Sequence, residues 1–359
     1  VVGMVATGMI GCDLGLASCT CCQAGFGKSG ARFIVSTIFA VNMIGWFGIQ
    51  NGVCGEAFSN AMLAMTGWDI PVVVSNTIWG IIMLLTAVYG VHALEKLDKI
   101  SIPLLMIIMC YGIFLAFKVY GTGNLNDEGT VQSMSFMSGV ALSFNFTAVG
   151  TITGPDYTRF QKSRKDTVKS VFYGVFPMGV ITLIMGIVLT KLSGQYDISM
   201  VLIEVGLPLL GIIALVISTW TTNSTNAYSA GLNIVMALKL KDNRRREATL
   251  ISGIVGIVLC DLGILGHVEG VLSLLSYVVC PVGGVILADY WVVGKGKAKN
   301  FRPQDGVNWA GVIAWALGAI ISYTLVKIEF VGIIIGFVIY LIAERFIPSA
   351  SRDNAENIA

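Results

Sequence analysis

Charged side chains are scarce in this sequence. Asp, Glu, Lys and Arg make up 12% of its 359 residues, whereas hydrophobic residues make up 55%. Water-soluble domains carry about a quarter charged residues, so the shortage excludes a soluble globular protein. Segments that alternate apolar and polar residues are also missing. Because a membrane β-barrel needs such segments, the spanning elements are predicted to be α-helices.

Histidine is nearly absent as well, since only His92 and His267 occur. Both fall at the ends of predicted helices, and no cysteine or carboxylate cluster accompanies them. The sequence therefore offers no nucleophile–base pair and no set of metal ligands. We predict that the protein is not an enzyme and needs no cofactor. A channel and a membrane-embedded enzyme stay open as alternatives from other classes.

The sequence contains many long apolar segments. A helix needs about 20 mostly apolar residues to cross a membrane, and such runs predict a polytopic all-α bundle. They form a single transmembrane domain over 1–347, followed by a disordered tail at 348–359. The predicted spans are 32–58, 72–93, 100–120, 135–153, 168–191, 201–226, 248–265, 269–293, 308–326 and 329–347, with a partial span at 1–16.

The basic residues follow the loops of this bundle. Of the 23 Lys and Arg residues, 20 fall on alternate connections, for example 239–246 and 295–302. This is the positive-inside pattern, and it predicts a multi-pass protein of the cytoplasmic membrane with a cytoplasmic C-terminus. The partial span at 1–16 would then start outside, which suggests that the first part of this helix and one preceding helix are missing. The cytoplasmic loops account for the small net positive charge of the sequence, so no nucleic-acid partner is predicted.

Three carboxylates lie within predicted spans, at Glu56, Glu204 and Asp261. An ionisable group inside a membrane is a functional candidate by default. Each lies near the outer end of its helix, where water or a partner would satisfy the hydrogen-bonding needs of the carboxylate. The sequence therefore leaves open both a functional role and a purely structural one.

A polar stripe crosses the span at 32–58. Asn42, Trp46 and Gln50 recur every four residues, so they share one helix face. An indole flanked by two amides suits a flat heterocycle, which stacks on the ring and hydrogen-bonds at its edge. The alternative is helix packing, because amides also bind neighbouring helices.

The stretch "STWTTNSTN" at 218–226 has a hydroxyl or amide side chain at every position except Trp220. Ser218, Thr221 and Thr222 stand at i, i+3 and i+4, so a carbonyl and two hydroxyls can converge beside the helix. Neutral oxygens without a carboxylate suit sodium, whereas calcium recruits acidic side chains. Asn223 offers a further amide one residue on. Bonds to the preceding helical turn are the alternative role for these hydroxyls.

The span at 135–153 contains several glycines and holds Asn145 and Phe146 at its centre. Glycine-interrupted spans expose backbone groups at mid-membrane in transporters. Phe146 is therefore a candidate for a second aromatic face opposite Trp46, with ordinary apolar packing as its alternative. A slot for a flat ring beside a cation site describes a cation-coupled carrier.

Motifs along the whole chain resemble the nucleobase:cation symporter family, in its cytosine-permease branch. They are "GWFG" at 45–48, "AVGTITGPDYTRF" at 148–160, "WTTN" at 220–223, "YSAGLN" at 228–233, "PVGGVILADYW" at 281–291 and "VNWAGVIAWALG" at 307–318. The resemblance implies a fold of twelve helices that includes two inverted five-helix repeats. About eleven of these twelve helices would lie in this sequence. The first repeat would be the partial 1–120, the second about 134–293, and two additional helices would occupy 308–347.

The resemblance also implies roles for the candidate residues. Trp46 and Phe146 would sandwich the base, and Asn145 would line the pocket. The carbonyl of Ser218 would hold sodium together with Thr221 and Thr222. The wider predicted substrate-binding set consists of Trp46, Phe146, Asn145, Gln50, Asn42, Met43 and Asn223.

Three positions depart from the cytosine-permease pattern. Met43 stands where these permeases have Gln, Ser218 replaces an Asn, and Gln50 resembles the hydantoin-carrying branch. We predict a sodium-coupled importer of a nucleobase, with cytosine or a related base as substrate and proton coupling as an alternative. Another flat heterocycle, such as hydantoin, allantoin or a vitamin-precursor pyrimidine, is the alternative substrate. The predicted partners are the base, sodium and the bilayer, with no obligate protein partner.

Overall fold

The computed structural model describes residues 1–122, 135–194 and 198–347. Within these ranges the regular structure is helical and no strand occurs, which confirms the predicted all-α class. The tail predicted at 348–359 lies outside the described residues. The α-helices are α1 (Val2–Leu14), α2 (Ser18–Cys21), α3 (Gln23–Gly30), α4 (Ser36–Thr66), α5 (Val72–Tyr89), α6 (Val91–Tyr120), α7 (Phe136–Ile152), α8 (Gly154–Thr158), α9 (Arg164–Lys169), α10 (Phe176–Ser193), α11 (Ile198–Glu204), α12 (Pro208–Ala237), α13 (Arg245–Asp261), α14 (Val268–Leu287), α15 (Trp309–Ile321) and α16 (Val331–Phe346).

Several of these helices are long and apolar enough to cross a membrane. In the described part of the chain, six segments meet this condition: Gln23–Thr66, Val72–Tyr89, Lys96–Tyr120, Arg164–Ser193, Ile264–Val293 and Trp309–Val326. Helices α1 and α7 are apolar but shorter. The predicted spans 201–226, 248–265 and 329–347 correspond to α12, α13 and α16. The molecule is a polytopic membrane bundle, as the sequence predicts.

Helix α4 is longer than the predicted span at 32–58. It continues α3 through a π-helical turn at Ala31–Val35 and runs to Thr66. Its 31 residues correspond to about 46 Å at 1.5 Å per residue, which exceeds the roughly 30 Å of hydrocarbon. The helix ends where Gly67 adopts a left-handed φ of 74°, a conformation that glycine reaches without steric cost.

The polar stretch at 218–226 lies near the middle of a helix, not at its end. The predicted span 201–226 is wrong at both boundaries: the chain breaks at Gly206, where φ is 88°, and the helix does not end at residue 226. Helix α12 then begins at Pro208 and continues to Ala237. Proline is favoured in the first turn of a helix because its missing N–H needs no partner there. The break therefore shifts α12 along the chain and places its polar residues at mid-length.

The helices pack in three apolar groups. The first contains α4, α5, α12 and α13, and the second surrounds α6, α10 and α11. The third combines α1, α2, α3 and the first half of α4 with α7, α14, α15 and α16. Helices α4 and α12 face each other in the first group, and α4 also packs in the third group, to which α7 belongs. The candidate site residues therefore lie along a helix that the first and third groups share.

Small residues allow the first group to pack closely. A Cβ atom added at Gly231 on α12 would lie 2.8 Å from the Cα atom of Thr249 on α13. Close helix–helix approach at small residues is the usual packing mode in membranes. This close contact holds α12 against α13. The repeat boundaries at 1–120 and 134–293 stay a prediction.

Candidate substrate and ion site

The two predicted aromatic faces lie together in the structure. The ring centroids of Trp46 on α4 and Phe146 on α7 are 5.6 Å apart, and the ring planes are inclined by 55°. Trp46 is half-buried, while the side chain of Phe146 is 56% exposed. The fold thus brings both residues to one place, and the rings touch each other.

The rest of the stripe on α4 divides into buried and accessible positions. Asn42 is buried, and its Nδ2 atom donates to the carbonyl of Ile38 at 3.2 Å. Its Oδ1 atom has no hydrogen-bond partner within the described ranges. Met43 packs against the apolar core beside α7 and α14. Gln50 lines a large cavity, so one turn beyond Trp46 the stripe meets open space.

Asn145, the residue before Phe146, is 3% exposed. Its Nδ2 atom donates to Oε1 of Glu329 at 3.1 Å and lies 3.4 Å from Oγ of Ser273. Its Oδ1 atom is buried without a partner among the residues that the structure describes. The amide therefore has a satisfied donor and an unsatisfied acceptor.

The oxygens predicted to bind a cation converge on one point of α12. The hydroxyls of Thr221 and Thr222 lie 3.0 Å and 3.2 Å from the carbonyl oxygen of Ser218, to which both donate. Local bonding of this kind is common for hydroxyls in helices. The same three oxygens would suit a sodium ion after the hydroxyl hydrogens rotate away, since each hydroxyl oxygen also has lone pairs. They supply one side of a coordination shell, and other ligands would have to complete it.

Asn223 has a different environment from its neighbours. It is fully buried, and its Nδ2 atom donates to the carbonyl of Phe47 at 3.1 Å. The adjacent Ser224 donates to the carbonyl of Met83 at 3.0 Å. These bonds join α12 to α4 and α5. Part of the polar cluster at 218–226 therefore holds helices together, and the structure places the predicted substrate residue Asn223 in that part.

A cavity of about 1270 Å³ opens between the helix groups. Of the predicted site residues, Gln50, Ser218 and Thr222 line it, whereas the set of lining residues from the described ranges does not include Trp46, Phe146 or Thr221. Most of the other lining side chains are apolar, including Met106, Met109, Met178, Met185, Leu202 and Leu215. An apolar cavity with a few polar groups at one wall is the usual form of a small-molecule site.

The carboxylates singled out by the sequence have separate environments. Glu56 and Asp261 both line the cavity. Asp261 accepts a hydrogen bond from Nδ2 of Asn76 at 3.2 Å. Glu204 instead accepts from the hydroxyl of Tyr120 at 2.7 Å. Two of the three are therefore placed to meet a solute in the cavity.

Glu329 is the residue of this region that sequence reasoning missed. It is 5% exposed, and it lies between the last two helices in the segment "KIEF". Its position beside Lys327, at the edge of a span, is typical of a solvated loop carboxylate. A signal was present, because the apolar residues around this acid predict a buried location.

The sequence matches proteins of known family along almost its whole length. A family model described as "Permease for cytosine/purines, uracil, thiamine, allantoin" matches residues 1–344. The cytosine permease of Escherichia coli strain K12 is 31% identical over 335 residues, which cover 92% of this chain and 76% of the relative. The allantoin permease of Bacillus subtilis strain 168 is 24% identical over 400 residues, with 97% and 81% of the two chains covered.

Solved structures with the same fold exist. The structure of Mhp1, a nucleobase-cation-symport-1 family transporter in a closed conformation with bromovinylhydantoin bound, superimposes with a TM-score of 0.77 at 18% identity. The match covers 96% of this chain and 82% of that one. An inward-facing conformation of Mhp1 gives the same TM-score at 19% identity, covering 96% and 80% of the two chains. At this identity the likeness shows the fold alone.

Proposed function

The chain belongs to the family of permeases for cytosine/purines, uracil, thiamine and allantoin, and we propose that it imports a nucleobase in symport with sodium. Cytosine is the first candidate substrate, because the cytosine permease of Escherichia coli is 31% identical to this chain. The resemblance seen in the sequence motifs is confirmed by these matches. Sodium as the coupling ion and cytosine as the base are the parts that belong to the proposal.

The contact between Trp46 and Phe146 supports this function most directly. Aromatic side chains from two helices, α4 and α7, meet there, and Gln50 extends the same face of α4 to the cavity. A planar base between the two rings would gain stacking on both faces, while amides at the edge would read its polar atoms. No charged side chain is needed for a neutral base of this kind.

The oxygens of α12 support cation coupling. Ser218 and Thr222 line the cavity that Gln50 also lines, so a cation at the Ser218 carbonyl would lie in the space that Gln50 reaches from the base-binding face of α4. A ligand shifts a conformational equilibrium only if it binds one state more tightly than the other. Sodium and the base would therefore favour the same conformation of the bundle, and alternating access would carry both across the membrane.

Because of the residues at positions 43 and 50, heterocycles other than cytosine are also candidate substrates. Met43 cannot offer the polar contact of an amide, and Gln50 supplies one further along the helix. Hydantoin, allantoin and a vitamin-precursor pyrimidine are therefore alternatives to cytosine. Each contains a flat or nearly flat ring, is neutral and carries several hydrogen-bonding groups, as the site requires.

Uptake by proteoliposomes containing the purified protein tests the proposal. Radiolabelled cytosine, uracil, hypoxanthine, hydantoin and allantoin are supplied with an inward sodium gradient, with an inward proton gradient, or with neither. We expect saturable uptake of one base that rises with the sodium gradient. Uptake driven equally well by protons alone would overturn sodium coupling, and linear, non-saturating flux would indicate a channel instead.

A further inference from the structure

The segment between α15 and α16 reaches the candidate substrate helix. Lys327 adopts a left-handed φ of 55°, and its N–H donates to the carbonyl of Ser322 at 2.7 Å. This turn directs Glu329 and Phe330 towards α7. The ring of Phe330 packs on that of Phe144 with centroids 5.6 Å apart, and Glu329 lies against the next residue, Asn145.

Glu329 is buried in a small polar cluster between α7 and α14. Its Oε1 atom accepts from the hydroxyl of Ser273 at 2.6 Å and from Nδ2 of Asn145 at 3.1 Å. Its Oε2 atom is buried without a partner in the described part of the chain. Burying a carboxylate is strongly unfavourable unless hydrogen bonds compensate for its lost hydration. A carboxylate kept there under these conditions points to a role beyond packing.

The chemistry of the pair fixes the orientation of the Asn145 amide. An ionised carboxylate only accepts hydrogen bonds, and an amide has one donor end and one acceptor end. Glu329 therefore takes the donor end, Nδ2, and leaves Oδ1 as the free end. That oxygen is buried and has no partner among the described residues, an arrangement that is unfavourable until a donor reaches it.

We infer that Glu329 is a positioning residue that sets the specificity of the site through Asn145. It holds the amide so that Oδ1 accepts an N–H group of the bound heterocycle, next to the ring of Phe146. Bases with an N–H group at that edge are selected over analogues that lack it. The inference rests on the proposed function, because it assigns a role at the same site.

A double-mutant cycle tests the contact itself. Asn145→Asp places two carboxylates face to face and should lower the thermal unfolding temperature. Glu329→Gln added to Asn145→Asp should restore it, because the amide at 329 now donates to the carboxylate at 145. The control pairs Asn145→Asp with Glu269→Gln, an exposed glutamate on α14, and its effects should add. Additive effects for the Asn145–Glu329 pair would overturn the inference.

Binding measurements test the specificity. Cytosine, uracil and hydantoin are each compared with their N-methylated forms, which remove one N–H donor at a time. We expect the wild type to bind the parent base at least about tenfold more tightly than it binds one of the methylated forms. In Glu329→Gln this ratio should fall several-fold, because glutamine both donates and accepts and so lets the Asn145 amide turn. Glu329→Asp keeps an acceptor-only group and should keep the preference.

The outcomes separate this inference from the proposed function. A ratio unchanged in Glu329→Gln overturns the inference and leaves base transport standing. If the wild type binds none of the bases, the proposed function fails and the specificity role fails with it. A non-additive cycle together with a lowered ratio supports both.

Discussion

The rings of Trp46 and Phe146 are in direct contact, with their centroids 5.6 Å apart. A flat guest between two rings needs van der Waals distance on each side, which places the outer rings about 7–8 Å apart. The observed pair is too close for that, so binding of a base requires the rings to separate or one to rotate. Phe146 is the more exposed of the two, and it stands on α7, whereas Trp46 stands on α4. Relative movement of these two helices would open the slot.

Removal of the indole should weaken binding of the base. Stacking of a base on an aromatic side chain contributes about 1–3 kcal/mol, so Trp46→Ala should lower affinity roughly 5- to 150-fold. Trp46→Phe should retain part of the stacking. Isothermal titration with the transported base measures the effect. Trp68→Ala is a suitable control, because Trp68 is 70% exposed beyond the end of α4. Equal loss in both alanine variants would contradict a specific stacking role.

The sequence predicted the bundle well because apolar runs determine which segments cross a membrane. It misplaced the start of α12, because Gly206 breaks the helix within an apolar segment that looks continuous in its hydropathy. At the site, helical spacing correctly related Trp46 to Gln50 along one face, because that relation is local. The bond from Asn223 to Phe47 and the burial of Glu329 against Asn145 depend on tertiary packing between distant segments. The apolar residues around Glu329 indicate its burial, but no local pattern encodes which residues these side chains contact.

Loss of the two threonine hydroxyls should remove the effect of sodium on binding. Valine has the shape of threonine without its oxygen, so Thr221→Val with Thr222→Val deletes two of the three proposed ligands and preserves packing. Coupling between two ligands of one protein commonly changes affinity 5- to 150-fold. We expect sodium to raise the affinity for the base by a factor in this range in the wild type, and to have little effect in the double variant.

The control for this experiment lies one turn further along α12. Thr225 also donates to a carbonyl of its own helix, that of Thr221, at 3.1 Å. Thr225→Val therefore removes a comparable hydroxyl and leaves the three proposed ligand oxygens in place, so sodium dependence should persist. If it persists equally in the Thr221→Val and Thr222→Val double variant, the cation lies elsewhere.

Close packing between α12 and α13 should make Gly231 intolerant of a side chain. Its added Cβ atom would lie 2.8 Å from the Cα atom of Thr249, a backbone atom that cannot move aside locally. Overpacking costs about 1–3 kcal/mol, and each kcal/mol lowers the unfolding temperature by about 2–4 °C. Gly186→Ala is the matched control, because its Cβ atom meets nothing within 4 Å. A thermal scan should show a loss only for Gly231→Ala.

Burial should protect the cysteines near α2 from alkylation. Burial raises the pKa of Cys19 from the ordinary 9.0 to about 11, and it raises the pKa of Cys21 to about 12. The thiolate is the reactive form. At pH 8 about a tenth of an ordinary thiol is ionised, compared with about a thousandth of Cys19. Mass spectrometry after maleimide treatment should show slow labelling of both residues in the native protein and fast labelling once it unfolds.

The same shifts predict how stability depends on pH. Above pH 9 the thiols lose protons in the unfolded chain, whereas the folded protein holds those of Cys19 and Cys21 up to about pH 11 and 12. The unfolded state then binds fewer protons than the native state, so the free energy of unfolding falls as pH rises through this window. Replacement of both residues by alanine should flatten the fall of the unfolding temperature between pH 9 and 11. An unchanged slope would mean that tyrosine and lysine titration alone governs alkaline stability.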